Sequence, residues 1–579
     1  MSKRWKKTLA SVVLGTALLM QGGIQLPAAS AASAEEAVSN HLTEAIQAAV
    51  KSVSVESTPD GSRIAVTVRL YNGASAKQRI PDYELRVQTQ DGVEYTLDAS
   101  SDNKKALKPM EIGELVYMST VDSKASMKLA GLSFVKVDPY AYPKAETVLL
   151  SLPLGSEVWY PSTGSALPGK ELAWGTAFSI PGINSDLTYT PVGYERQNTE
   201  KGPVAVVTLL AENPAGGRET IPDFRIDARA EKTYTGVRTE KDAVGLEPGE
   251  KQYIHFAIPL ESNVNPARLL VMTTDLFLPA SSQASGSQAS GTSGKAGVAI
   301  DIGRVAVSLP YGNQAGSAVS SAYAMGTPIA VDPLSKILDH TQVSLMELHM
   351  TQNPGEGYKT AVGKFILTST SDKPIPIPAF DAELVGSGGA AYSGVRQTEV
   401  SASMNPGLSY VVSYAFNVPQ TEAGEGLVLR LLDSQTAAPY KVAVASVQTA
   451  LQKETDSDTM QLYPFDIRLV NSTVGTNYLA TNSSYSYKMK LELEIKQAEN
   501  VVVDSNFSKL HFEVVDKLGR VLGTADGSFT GAQRLVSGIQ NIVTNNIQSE
   551  QFEFPISVNV YELFETPGGQ AKRFLKTLN

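Results

Sequence analysis

The sequence predicts an all-β protein made of tandem antiparallel β-sandwiches, with one short N-terminal helix. Three observations carry this. First, one stretch recurs three times in the same order. From Ile221 it reads Ile-Pro-Asp-Phe-Arg-Ile, then Tyr234-Thr-Gly-Val-Arg238, then Leu246-Glu-Pro-Gly-Glu250, then an alternating run to Pro259. From Ile377 the same order returns: Ile-Pro-Ala-Phe, Tyr392-Ser-Gly-Val-Arg396, Met404-Asn-Pro-Gly407, then Tyr410 to Val418. A worn copy begins at Ile80 and has Leu107-Lys-Pro109 at the turn; in all three, aromatic and turn proline lie 24 to 26 positions apart. Second, strict alternation such as Ile64, Val66, Val68 and Leu70 marks strands with one face buried. Third, these runs are short and separated by Gly, Pro, Asn and Asp, as in sandwiches.

In chain order, Glu35 to Lys51 predicts the helix, because Val38, Leu42, Ile46 and Val50 recur every four residues. The first copy continues with alternating runs at 83–88, 114–121, 132–137 and 146–152. The second has 204–210, 224–228, 252–258, 269–273 and 298–309. Pro248-Gly249 and Pro406-Gly407 fit type II turns, where proline sets φ and glycine supplies φ > 0. Met110 stands at the glycine position of the first copy, which predicts a turn of another type. After each turn, Leu115 and Tyr117, Ile254, Phe256 and Ile258, and Val412, Tyr414 and Phe416 are expected to face the core.

Ser281 to Gly297, rich in Ser, Gly and Ala, resembles a linker in composition. The closing pattern Leu152-Pro-Leu-Gly155 has its counterpart at Leu309-Pro-Tyr-Gly312, beyond this segment, so it reads as a long flexible loop between the last two strands of copy two. A short helix is expected near 334–338 in copy three. The organisation that follows is a leader over 1–34, repeats over 35–150, 151–308 and 309–455, and a divergent sandwich over 456–579 that lacks the Pro-Gly turn.

Lys3, Arg4, Lys6 and Lys7 precede an apolar run and an Ala29-Ser-Ala31 site, the pattern of a secretory signal. The chain carries a net charge of −10, and loss of those four bases makes it −14, which argues against nucleic acid or anionic lipid as partner. It contains no cysteine, so it has neither disulfide nor thiolate site nor a lipid-modified Cys. Export without disulfides fits a Gram-positive source. The expected location is secreted, released or held at the cell wall, with no membrane anchor once the signal is cleaved.

No catalytic, cofactor-binding or metal motif emerges. The five histidines show no pair at ligand spacing, and His255 is expected on the outward face of its strand as a surface residue. Gly164 to Lys170 nearly matches a phosphate loop, but Glu171 replaces the hydroxyl residue and would repel phosphate. Asp456-Ser-Asp458 suits a solvated joint better than a calcium site. Aromatic residues collect after the first repeat: Trp159, Tyr160, Trp174, Tyr189 and Tyr194. They are the candidate ligand contacts, stacking on sugar faces; packing between repeats is the favoured role for the same rings.

A strand ending near Asn72, Asn213 or Ser369, an aromatic strand and a Leu-x-Pro-Gly turn together resemble an uncharacterised immunoglobulin-like domain family of Gram-positive secreted proteins and lipoproteins. The resemblance covers about half of each of the first three copies. It implies immunoglobulin-like sandwiches and an extracellular module without catalysis. The expected function is a scaffold or adhesion-type binding protein whose partner is a protein or cell-wall polysaccharide. The alternative is wall or polysaccharide binding through the aromatic cluster.

Overall fold

The computed structural model describes residues 40–123, 127–161, 167, 171–279, 297–310, 320–352, 357–398, 401–453, 458–480, 484–544 and 554–578. The expected leader, residues 281–296 of the Ser/Gly-rich segment and most of the near phosphate loop lie outside them. Over the described residues the chain is all-β, its sheets mainly antiparallel, and the one helical element there is the 3-10 turn Gly155–Glu157. Four hydrophobic cores follow one another along it, running from Leu42 to Val158, Phe178 to Val307, Ile329 to Val447 and Met460 to Leu578.

The recurring stretch builds the same centre each time. The aromatic after Ile-Pro meets the aromatic of the strand that follows the turn: Tyr83 with Tyr117 at 6.3 Å between ring centres, Phe224 with Phe256 at 5.2 Å, Phe380 with Tyr414 at 5.5 Å. The glycine of Tyr-x-Gly-Val-Arg has a steric cause. A Cβ on Gly236 would lie 2.0 Å from the Ile226 carbonyl oxygen, and one on Gly394 2.9 Å from that of Ala382. In the third copy the strand Ala391–Arg396 pairs with strands of both sheets, and only glycine lets its backbone come so close. Arg396 then lies 5.4 Å above the Phe380 ring and donates to the Pro378 carbonyl at 2.6 Å.

Two expected helices are corrected. Ile46–Thr58 is a strand paired with Gly61–Asn72. A spacing of four is also a multiple of two, so Ile46 and Val50 satisfy strand alternation as well as a helical stripe, and pairing decided between them. Residues 334–338 are turns rather than helix. A third correction concerns Met110. Its φ is +58°, beside +77° for Gly249 and +69° for Gly407. The closing bonds also correspond, Glu111 N–H to Lys108 at 3.2 Å and Glu250 N–H to Glu247 at 3.0 Å, so the first copy keeps the turn and places methionine in the left-handed region.

The sandwiches stack through one recurrent contact. The outer face of the strand pair Gly61–Asn72 and Ile112–Val121 presents Ala65, Val116 and Met118 to Phe277, Ile300 and Ile302, which lie on the hairpin Arg268–Phe277 with Val298–Ser308. At the next junction Val204, Val206 and Ala257 meet Tyr440 and Val442. At the last, Val362 and Ala415 meet Phe564 and Ala571. Strands covered on both faces lose their alternation, as in the run Val204 to Leu210, whereas the strand Ser484–Gln497 keeps Met489, Leu491 and Leu493 inside with Lys488, Lys490 and Glu492 exposed.

Candidate functional site

Between the first two sandwiches lies a cleft of about 330 Å³. Its floor and walls come from three elements whose outward side chains are set by strand alternation. Ile46–Thr58 contributes Glu56, Gly61–Asn72 contributes Arg63, and Arg225–Arg229 contributes Arg225 and Asp227. Asp301 and Trp159 complete the wall. Arg63 pairs with Glu56 at 2.5 Å; Arg225 pairs with Asp227 at 3.0 Å and with Asp301 at 2.6 Å.

The electrostatics are uneven. Burial pushes the Asp227 carboxyl up, against the pull of Arg225 and the Gly236 N–H. The hydrogen bond from Arg225 holds Asp301 below the usual carboxylate range. Arg225 itself is held charged by Asp301 and Asp227. Two forked guanidinium groups and three carboxylates beside an indole offer hydrogen bonds to hydroxyl groups and one flat apolar edge. The cleft's lining contains no histidine to act as a base near neutral pH.

The five aromatic candidates do not converge. Trp159, 8% exposed, pairs in parallel with Ser54 and packs with Leu167, Leu270, Met272 and Ala306 between the two sandwiches; it is the one of the five that reaches the cleft. Tyr160 is half-buried against the first core, and its hydroxyl accepts the Leu129 N–H at 3.0 Å. Trp174 and Tyr194 are half-buried against the second core. Tyr189 is 1% exposed, 5.0 Å from the ring of Phe224, and has no face left for a ligand.

His255 is also corrected. It lies on the outward side of its strand but is 2% exposed, because the third sandwich covers that face. Its ring meets Glu240 at 2.9 Å. Burial pushes the Glu240 carboxyl up, but the contacts from His255 outweigh that and hold it low.

A second charged cluster sits at the last junction. Lys364 contacts Glu562 at 2.8 Å and Glu347 at 3.7 Å, and Arg573 donates to Glu562 at 2.7 Å. Lys364 and Glu562 are fully buried, and Lys364 and Arg573 hold the Glu562 carboxyl down at about 2 despite that burial. Among the described residues no group of three or more His, Asp or Glu side chains is placed to hold a metal ion. Sequence reasoning missed both charged groups. Their signal was present: a charge inside an apolar strand, as in Val362-Gly-Lys364-Phe365, marks a position whose partner must come from elsewhere.

No family model and no curated protein matches this chain. Among solved structures it is similar to a protein of unknown function from Porphyromonas gingivalis W83, at 12% identity over 46% of this chain and 99% of the other. The TM-score is 0.12, too low to carry fold or function across.

Proposed function

We propose that this chain is a secreted bacterial scaffold or adhesion-type binding protein, without catalysis, built from immunoglobulin-like repeats. The observation that supports it is the stack itself. Each junction joins a cluster of apolar residues with a pair that spans two sandwiches: Lys51 with Asp275 at 3.3 Å, Glu195 with Arg430 at 2.5 Å, Lys364 with Glu562 at 2.8 Å. Covering outer sheet faces in this way holds successive sandwiches in a set orientation, so that their end loops are presented at defined distances. The test is expression of the full chain in a Gram-positive host, followed by fractionation and small-angle scattering of the purified protein. The expected result is protein in the medium or wall fraction whose scattering fits a single arrangement. Retention in the cytoplasm, or scattering that requires freely reorienting domains, would overturn the reading.

One observation favours a second reading, the binding of a cell-wall glycan. Trp159 lines a cleft that also holds Arg63, Arg225 and Asp301. Replacing Arg63 and Asp301 with alanine should then abolish retention on insoluble cell wall without lowering the melting temperature. Retention equal to the parent's would remove the cleft from consideration.

A further inference from the structure

All three junctions use the same two surfaces. The following sandwich supplies its last hairpin, and the preceding one supplies the outer face of its central strand pair. Such a contact is heterologous: the two surfaces differ, so among the described residues the first sandwich's hairpin and the fourth sandwich's central face have no matching surface. At the front, the unmatched surface is the hairpin Leu129–Asp138 with Ala145–Pro153. Its tip carries Tyr140 and Tyr142, 97% and 104% exposed. The corresponding connection in the third sandwich carries Tyr440, which packs on Val204, Val206 and Ala257 of the second.

At the back, the unmatched surface is the outer face of Ser484–Gln497 and Gly538–Val543. Ile539 and Val543 are 55% and 48% exposed there; Lys488 lies opposite Val543 and Glu492 opposite Ile539, with Lys490 between them. The charges keep the sense of the internal junctions. In two of those, a lysine of the receiving sandwich meets an acid of the docking hairpin, Lys51 with Asp275 and Lys364 with Glu562. On the free hairpin the exposed acid Asp138 is the one left to face Lys488 and Lys490, since Glu146 is already held by Arg86 at 2.9 Å.

We infer that a second copy of this chain docks at each end, its tyrosine-tipped hairpin seated on the Ile539 and Val543 face of its neighbour. The contact continues the stack from molecule to molecule and grows head to tail. It deepens the scaffold proposal by naming a partner. The free surfaces combine a few exposed apolar groups with charged ones, so association depends on concentration and weakens with salt.

Sedimentation velocity on the purified chain tests this through complementary defects. The parent should form a ladder of species that lengthens with concentration. Tyr140→Ser with Tyr142→Ser removes one surface, and Ile539→Lys with Val543→Lys removes the other; these residues are exposed, so the fold is retained. Each variant alone should be monomeric, and an equal mixture should stop at the dimer, because one intact surface of each kind remains. A parent that is monomeric at every concentration, a variant that still forms the ladder, or a mixture that stays monomeric would overturn the inference. None of these would touch the scaffold proposal, which concerns a single molecule.

Discussion

The side-chain amide of Asn213 donates to the main-chain carbonyl of Leu246 across 2.9 Å, tying the end of one strand to the Leu-x-Pro-Gly turn. It also donates to Gly217 at 2.9 Å and accepts the Ala215 N–H at 3.0 Å. Asn72 repeats this in the first sandwich, with Leu107 at 3.3 Å and Lys108 at 2.9 Å. Both residues are fully buried. In the third sandwich Ser369 is too short, and its hydroxyl has no partner among the described residues. Asn213→Ala should therefore cost about 3 kcal/mol, since it leaves buried carbonyls unpaired. The urea midpoint of unfolding reads this, and an unchanged midpoint would show that the clamp contributes nothing.

Met110 gives a change of opposite sign. A left-handed non-glycine residue costs about 1–2 kcal/mol, and the extra freedom of unfolded glycine returns about 0.5–1 kcal/mol of that. Met110→Gly should stabilise the first sandwich by about 0.5–1 kcal/mol. Gly249→Ala has open space around its Cβ, so it should destabilise through backbone strain alone. Paired thermal melts compare the two.

Two histidines make stability depend on pH in opposite directions. His349 is 3% exposed, neither ring nitrogen has a partner among the described residues, and burial, then Arg573, pushes its pKa down to about 3. The native ring stays neutral while the unfolded one gains a proton, so stability is full above about pH 6.5 and falls as the pH drops towards 3. His511 is bonded to Asp526 at 2.6 Å, and that bond, then Glu513, raises its pKa to about 9. Its contribution is full below about pH 6.5 and is lost as the pH rises through 9, at up to about 1.4 kcal/mol per unit. Urea titrations across pH should show the alkaline loss in the parent and not in His511→Asn.

Charge pairs should differ in worth according to their burial. Glu562→Gln leaves Lys364 and Arg573 buried without a full counter-charge and should cost about 3–5 kcal/mol. Arg468 and Glu494 pair at 3.2 Å but are 57% and 54% exposed, so Arg468→Ala should cost less than about 1 kcal/mol. Denaturant unfolding of both variants makes the comparison, and similar costs would refute the burial argument.

Trp159 reports on the first junction. Its indole should be shielded from iodide, whereas half-buried Trp174 should be quenched more. Trp159→Ala should cost about 3–5 kcal/mol and separate the unfolding of the first two sandwiches in calorimetry. A single unchanged transition would show that the ring does not couple them.

The strands, the threefold repeat, the aromatic core positions and the turn glycines were legible in the residues. Each is dictated locally: alternation sorts one face of a strand from the other, and a positive φ selects glycine. The strand at Ile46–Thr58 was ambiguous because a spacing of four serves helix and strand alike, and only pairing with Gly61–Asn72 resolved it. Burial of His255 and Lys364, the position of Trp159 between sandwiches, and the meeting of Arg63, Arg225 and Asp301 around one cleft belong to the tertiary structure alone. Alternation records whether a side chain leaves its own core. Whether it then meets water or another sandwich depends on residues a hundred or more positions away, such as Tyr440 over Ala257 and Glu562 over Lys364.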